Sequence, residues 1–419
     1  MTRPVQRAAG SGGIRALFAA GVLLGLIAEQ VVLFAVPLLI FQDSGDVSTL
    51  GLAFALEWLP GLIAYPFAGL LADRDGGARL FSRVNVLRGV TVAVVVLICL
   101  TRPSWSTPAL IANGAVLSVL VAPVRMSIEK VVPQIAAGSR IAAVQSLVQN
   151  MELLALALGP AIAVAAVALL GKVWLLGSAA AIFLLAALCW RPMPRVRPEP
   201  AAAAGERRVL GELALGWALL ARNRPVVLLA TLNFAINLVF ATVLAANAAL
   251  VTGVFHASES SYGLLNTFVG VVGLVNLLLI PWLLNRFDVN ALGVFGFVLL
   301  CCALLAAGGA SSFLVYGTAF VTAMTGCAYY NVFNRTQRIK VIPAEHLGKV
   351  MGPFYLLNLL SYPIGGLLVA GAGATVGPQR LVAGLAVLLC LAGAVLLPMT
   401  LRSFRQVLAG VPSMNISRK

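Results

Sequence analysis

Three of the 14 acidic residues, Glu29, Glu57 and Glu152, stand inside long apolar runs. An ionised side chain in hydrocarbon costs at least about 2.5–3.5 kcal/mol, so an embedded acid marks a functional position. Desolvation disfavours the charged form of a carboxyl, which brings proton uptake and release within reach of neutral pH. All three are therefore candidates for proton coupling. The alternative is a carboxyl kept protonated or hydrogen-bonded for structural reasons. Glu57, about two turns from the outer end of its run, has the further option of snorkelling to the interface. Gln145, Gln149 and Glu152 follow an i, i+4, i+7 spacing and form one polar stripe, which favours a water-filled cavity over lipid.

Later in the chain the embedded polar residues are amides and phenols. Asn233 and Asn237 recur at i, i+4, as do Tyr330 and Asn334; Tyr355, Asn358 and Tyr362 share a face. These groups can hydrogen-bond a polar substrate, or they can link helices at about 0.6 kcal/mol per contact. No Lys or Arg is expected at mid-membrane depth. Arg88 and Arg125 are placed within a turn or two of the cytoplasmic helix ends, which disfavours carriers of phosphorylated or dicarboxylate anions. No phosphate loop, nucleophile triad or metal-ligand spacing is readable. No catalytic residue, metal or cofactor is assigned, and the chain is not expected to be an enzyme.

The runs that carry these residues dominate the sequence. Of its 419 residues 61% are apolar and 10% charged, and the mean hydropathy is +0.99. A soluble domain has about 25% charged residues, and a disordered chain is poor in hydrophobes. What remains is an all-α membrane protein. At roughly 20 apolar residues per span, twelve spans are predicted: 16–41, 50–72, 84–101, 107–127, 141–169, 173–190, 226–251, 261–284, 291–309, 313–333, 350–372 and 380–400. The strand alternation of a membrane barrel is absent. The N-terminal run is far longer than a signal-peptide core and is read as a retained helix.

Of the 29 basic residues only Arg102, Lys172 and Arg380 fall on one predicted face, and the other 26 fall on the opposite face with both termini. The positive-inside rule then places both termini in the cytoplasm. The net charge of +15 needs no nucleic acid. The six cysteines all lie in apolar runs and are read as packing residues. The six tryptophans, Trp58, Trp105, Trp174, Trp190, Trp217 and Trp282, are read as an interfacial belt. In the long connection, Val209, Leu213, Gly216, Trp217 and Leu220 share a helical face, which predicts an interfacial helix. The expected organisation is a six-helix bundle over 1–190, a cytoplasmic linker over 191–225, a second bundle over 226–400 and a tail over 401–419.

The halves echo each other. Arg125-Met-Ser-Ile-Glu-Lys130-Val-Val-Pro133 and Arg335-Thr-Gln-Arg-Ile-Lys340-Val-Ile-Pro343 align at an offset of 210, and Leu71-Ala-Asp73-Arg74 and Leu283-Leu-Asn285-Arg286 at 212. A duplicated six-helix unit is a transporter architecture, with the substrate between the repeats near the midplane.

The loop Gly69-Leu-Leu-Ala-Asp73-Arg74-Asp-Gly76 resembles motif A of the major facilitator superfamily. It departs at its end, where Gly77 and Ala78 replace two basic positions. The resemblance implies two pseudo-symmetric six-helix bundles and a conformational latch formed by Gly69, Asp73, Arg74 and Gly76, with Arg125 the partner of Asp73. The alternative is that Asp73 and Arg74 are solvated loop charges. Gly211-Glu212, Arg222-Asn-Arg-Pro225, Tyr262-Gly-Leu-Leu265 and Tyr362-Pro-Ile-Gly-Gly366 resemble the branch of siderophore and drug exporters that includes the enterobactin exporter. Gly159-Pro160 is similar to the core of the antiporter motif.

The expected function is secondary active export of a small amphipathic molecule, siderophore or drug-like, by proton antiport and alternating access. Glu29, Glu57 and Glu152 would couple protons. Gln145, Gln149, Asn233, Asn237, Tyr330, Asn334, Tyr355 and Asn358 would contact substrate. The alternative is uptake or facilitated passage of a neutral nutrient on the same fold. The expected partners are a small-molecule substrate, protons and lipid. The chain is expected to be a monomer of the bacterial inner membrane.

Overall fold

The computed structural model describes residues 11–75, 77–135, 140–193, 206–342 and 347–410. Every regular element among them is helical. Six long helices come first: α1 (Ser11–Ser44), α2 (Val47–Asp75), α3 (Ala78–Thr101), α4 (Ser106–Ile135), α5 (Arg140–Leu170) and α6 (Lys172–Cys189). The amphipathic α7 (Glu206–Arg222) follows, then α8 (Arg224–Ala248), α9 (Glu259–Leu284), α10 (Val289–Gly308), α11 (Phe313–Val341) and α12 (Leu347–Leu368). A single turn, α13 (Ala374–Val376), leads to α14 (Pro378–Gly410). Nine helical stretches among the described residues are long and apolar enough to cross a membrane. Helices suit this sequence because each satisfies its own backbone in lipid, where an open edge would not be tolerated.

All twelve expected spans have a helical counterpart, and several run past their apolar cores. α4 continues to Ile135 and α11 to Val341, through sequence read as loop. Hydropathy marks where lipid is in contact. Helical hydrogen bonding does not stop at that boundary. α2 likewise continues to Asp75, so the Asp73-Arg74 pair lies on helix and not in a loop.

Two short π-helical stretches, Ala249–Val254 after α8 and Val369–Gly373 after α12, widen the backbone at helix ends. Two residues past the first, His256 takes the left-handed conformation at φ 51°. α2 begins on Asp46, whose carboxylate accepts from the Ser48 and Thr49 amides at 3.1 and 2.9 Å and from the Thr49 hydroxyl at 2.7 Å. Asp288 begins α10 in the same way, accepting from the Asn290 amide at 2.9 Å.

The contacts form two units. One comprises 1–45, 56–202 and 259–274, and the other comprises 46–55, 203–258 and 275–419. In the first, Trp190 is sealed between Phe18 and Phe81, at 5.2 and 3.8 Å between ring centroids, and donates to the Phe18 carbonyl at 3.1 Å. Its burial corrects its assignment to the interfacial belt. Gly21 makes room, since a Cβ there would meet the indole at 2.3 Å. Also in this unit, the start of α9 lies on α1, with Tyr262 stacked on Phe34 and Gln42 donating to Glu259 at 2.5 Å.

In the second unit, α10 and α11 meet backbone to backbone. A Cβ on Gly326 would stand 2.7 Å from the Gly296 carbonyl. The start of α2 lies on α12, where Gly51 and Gly366 leave no space for side chains. α7 is anchored through Leu220, which joins Val226, Ala230, Ile342, Val350 and Phe354 in an apolar cluster. Gly216 is also buried, while Leu215 and Trp217 face outward.

Candidate functional site

In the first unit, Glu29 lies near the middle of α1 and Arg88 near the middle of α3. The Arg88 Nη2 donates to Glu29 Oε2 at 2.6 Å. The arginine side chain is 1% exposed and the glutamate 17%. Phe183 of α6 covers the guanidinium, its centroid 4.6 Å from Cζ. Nε and Nη1 of Arg88 are buried without a hydrogen-bond partner. This arrangement corrects the expectation that no cation stands deep in the bundle. Arg88 was placed near a helix end because the apolar run begins at residue 84, but α3 starts at Ala78 and puts it ten residues inside.

Glu57 of α2 and Tyr262 of α9 belong to the same unit. Among the described residues Glu57 makes no ion pair. Gly114 of α4 packs against its stem, where a Cβ would stand 3.7 Å from the Glu57 Cβ. Gly159 of α5 performs a similar service for Gln30, where a Cβ would collide at 2.3 Å. That close approach gives the Gly159-Pro160 pair a packing function in seating α5 on α1.

Glu152 of α5 faces Arg125 of α4 at 3.7 Å, with both side chains nearly half exposed. Arg125 stands ten residues before the end of α4, deeper than the expected one or two turns, again because the helix outruns its apolar core. The side chains of Gln145, Gln149, Gly69, Asp73 and Arg74, and all of Gly76, lie outside the described residues. So does the contact expected between Asp73 and Arg125.

In the second unit the embedded amides find one another. Asn233 donates to Asn358 at 2.5 Å, Asn237 donates to the same oxygen at 3.3 Å, and Asn334 donates to Asn233 at 2.7 Å. Asn358 in turn donates to the Phe354 carbonyl at 2.6 Å. The cluster ties α8, α11 and α12 together. Asn233, Asn334 and Asn358 are buried in it, while Asn237 is partly exposed. Tyr330 is fully buried and its hydroxyl has no partner.

One turn further along α11, Arg338 donates to the Tyr355 hydroxyl at 3.0 Å and lies over the Phe354 and Tyr355 rings. It is 6% exposed and makes no ion pair among the described residues. Arg338 was read as a loop charge. Tyr330, Asn334 and Arg338 share an i, i+4, i+8 stripe, which was the signal available in the sequence.

This helical architecture has known relatives. The sequence profile of the Major Facilitator Superfamily matches residues 18–358. The chain belongs to this superfamily. It is therefore a multi-pass membrane transporter, not an enzyme. No curated protein matches the chain in sequence. Solved structures match its fold. A mutant of the nucleoside transporter NupG is 13% identical, covers 93% of this chain and 100% of its own, and has a TM-score of 0.74. A D-xylose–proton symporter is 14% identical, with 93% and 98% covered and a TM-score of 0.72. An inward-facing bacterial homologue of the iron transporter ferroportin is 16% identical, with 92% and 98% covered and a TM-score of 0.70. At these identities the likeness is one of fold.

Proposed function

We propose that this superfamily member is a proton-coupled exporter of a small amphipathic molecule, siderophore or drug-like, working by alternating access between two six-helix bundles. The observation that carries the reading is a charge count. Two carboxyls, Glu29 and Glu57, belong to one unit, and Arg88 is paired with one of them. One guanidinium balances one carboxylate, so the group becomes neutral on taking up a single proton.

Glu57 is the acid that takes it. Glu29 is held by Arg88. The Glu152–Arg125 pair is a second, more open position. Asn237, in the amide cluster, and Tyr355, bonded to Arg338, have exposed surface to offer a substrate; Asn358 holds Asn237 in place. Export, cytoplasmic termini and the inner membrane follow from the exporter-like stretches and the distribution of basic residues.

Everted membrane vesicles with an acid interior, offered ethidium or a catecholate siderophore, test the coupling. Gradient-driven accumulation is expected in wild type and is lost in Glu57→Gln, while exchange without a gradient persists. Equal gradient-driven accumulation in both removes Glu57 as the coupling acid. Uptake of a neutral nutrient is the second reading. The amide-rich second unit favours it, since neutral polar groups suit a neutral polar cargo. Higher cellular accumulation in a deletion strain than in its parent supports export, and lower accumulation supports uptake.

A further inference from the structure

At the arginine-rich end of the first unit, a cleft of about 340 Å³ opens between the start of α3 and the end of α6. Its walls include Arg79, Arg83 and Arg191, with Ser82, Trp190 and Met193 also lining it. Among the described residues no acid lines the cleft. The arginines are exposed, while Trp190 and Met193 are buried and form a rigid floor. Ser82 is fixed by donating to the Ala187 carbonyl at 3.1 Å. α3 begins here on Gly77, at φ 85°, which has no side chain of its own to cap the first amides. The positive end of the helix dipole adds to the attraction for an anion.

A second, independent feature says which anion. On α3, Val86, Val90, Val94 and Leu97 are exposed at i, i+4, i+8 and i+11, and on α6 so are Leu184, Leu185 and Leu188. The two helices pack against each other, with Gly89 set close against Ala180 and Leu184. The apolar stripes run away from the basic cleft along the same helices. A free phosphate would use only the cleft, whereas a phospholipid uses both, with its phosphodiester among the arginines and its acyl chains along the valines and leucines. Basic pockets at the ends of spans take anionic headgroups in this way.

We propose that the α3–α6 cleft is a binding site for an anionic glycerophospholipid of the leaflet facing the arginine-rich helix ends. Arg79 and Arg191 grip the phosphodiester with Arg83 beside them. The site is separate from the Glu29–Glu57 acids and stands whether or not those couple protons.

Native mass spectrometry of the delipidated full chain in detergent, titrated with phosphatidylglycerol, tests it. A first lipid adduct is expected to form at low lipid ratios, with phosphatidylcholine binding far more weakly. Arg79→Gln with Arg191→Gln should weaken phosphatidylglycerol about thirtyfold, and Arg79→Gln alone by an intermediate factor. Arg402→Gln with Arg405→Gln on α14 removes equal charge elsewhere and should leave the first adduct intact. Millimolar inorganic phosphate should not displace the lipid.

The proposal is overturned by equal binding of phosphatidylcholine, by an unchanged adduct in both cleft variants, or by an equal loss in the α14 control. Displacement by inorganic phosphate would make the cleft a phosphate site instead. The mutated arginines are exposed, so the variants should elute and melt as the parent does. If the double variant does not, the single variant carries the comparison.

Discussion

Arg88 and Glu29 are 59 residues apart in sequence and 2.6 Å apart in space. Removing one partner of a buried pair leaves the other charge uncompensated, which costs about 3–5 kcal/mol. Arg88→Leu should therefore be less stable than wild type by that order, read by denaturant titration in mixed micelles. Combining it with Glu29→Gln should recover most of the loss, because the stranded carboxylate is gone. If the double variant is no better than the single, Arg88 stabilises the bundle through Phe183 and not through Glu29. At this scale the sequence was informative about residue types and silent about partners. Glu29, Glu57 and Glu152 stood out because an acid in an apolar run has few reasons to be there. Arg88 and Arg338 were missed because each lies near the edge of an apolar run, and hydropathy alone reads an edge as an exit to water. The Asn233–Asn358 bond joins residues 125 positions apart, and no periodicity reports such a pairing.

Caps and turns decide how the elements begin and end. At the start of α2 the Thr49 hydroxyl, then the Thr49 and Ser48 amides, hold the Asp46 carboxyl below its ordinary range. A depressed folded pKa stabilises above the unfolded value of about 4 and is lost as pH falls through the folded one. Asp46→Ala should thus cost about 1 kcal/mol at neutral pH, and the difference from wild type should shrink as pH falls below about 4. Melting curves of both proteins across that range measure it. His256 sits in the left-handed region, where a side chain costs roughly 1–2 kcal/mol. His256→Gly should raise the melting temperature, and a drop would mean the imidazole makes a contact worth more than the strain. The helices themselves were legible because each must hide its backbone from lipid with a long apolar run. Their ends were not, since α4 and α11 continue for two turns or more into polar sequence. The extension also turned Arg338 from a loop charge into a buried one.

At the scale of the whole molecule, the chain does not divide at its linker into two self-contained pieces. The first ten residues of the α2 region, 46–55, group with the later helices, and 259–274 of α9 group with the earlier ones. Gly51 is fitted against Gly366 and Ala370 of the later helices, and Tyr262 against Phe34 of α1. A gene cut between codons 202 and 203 would thus yield two fragments, each lacking a strip of its own packing partner. Expressed singly, each should be degraded in the membrane; expressed together, they should protect one another and accumulate, as quantitative immunoblotting of membrane fractions would show. Because strips of α2 and α9 group with helices from beyond the linker, a truncation there strips packing surface from both fragments at once, and neither is a ready-made smaller protein.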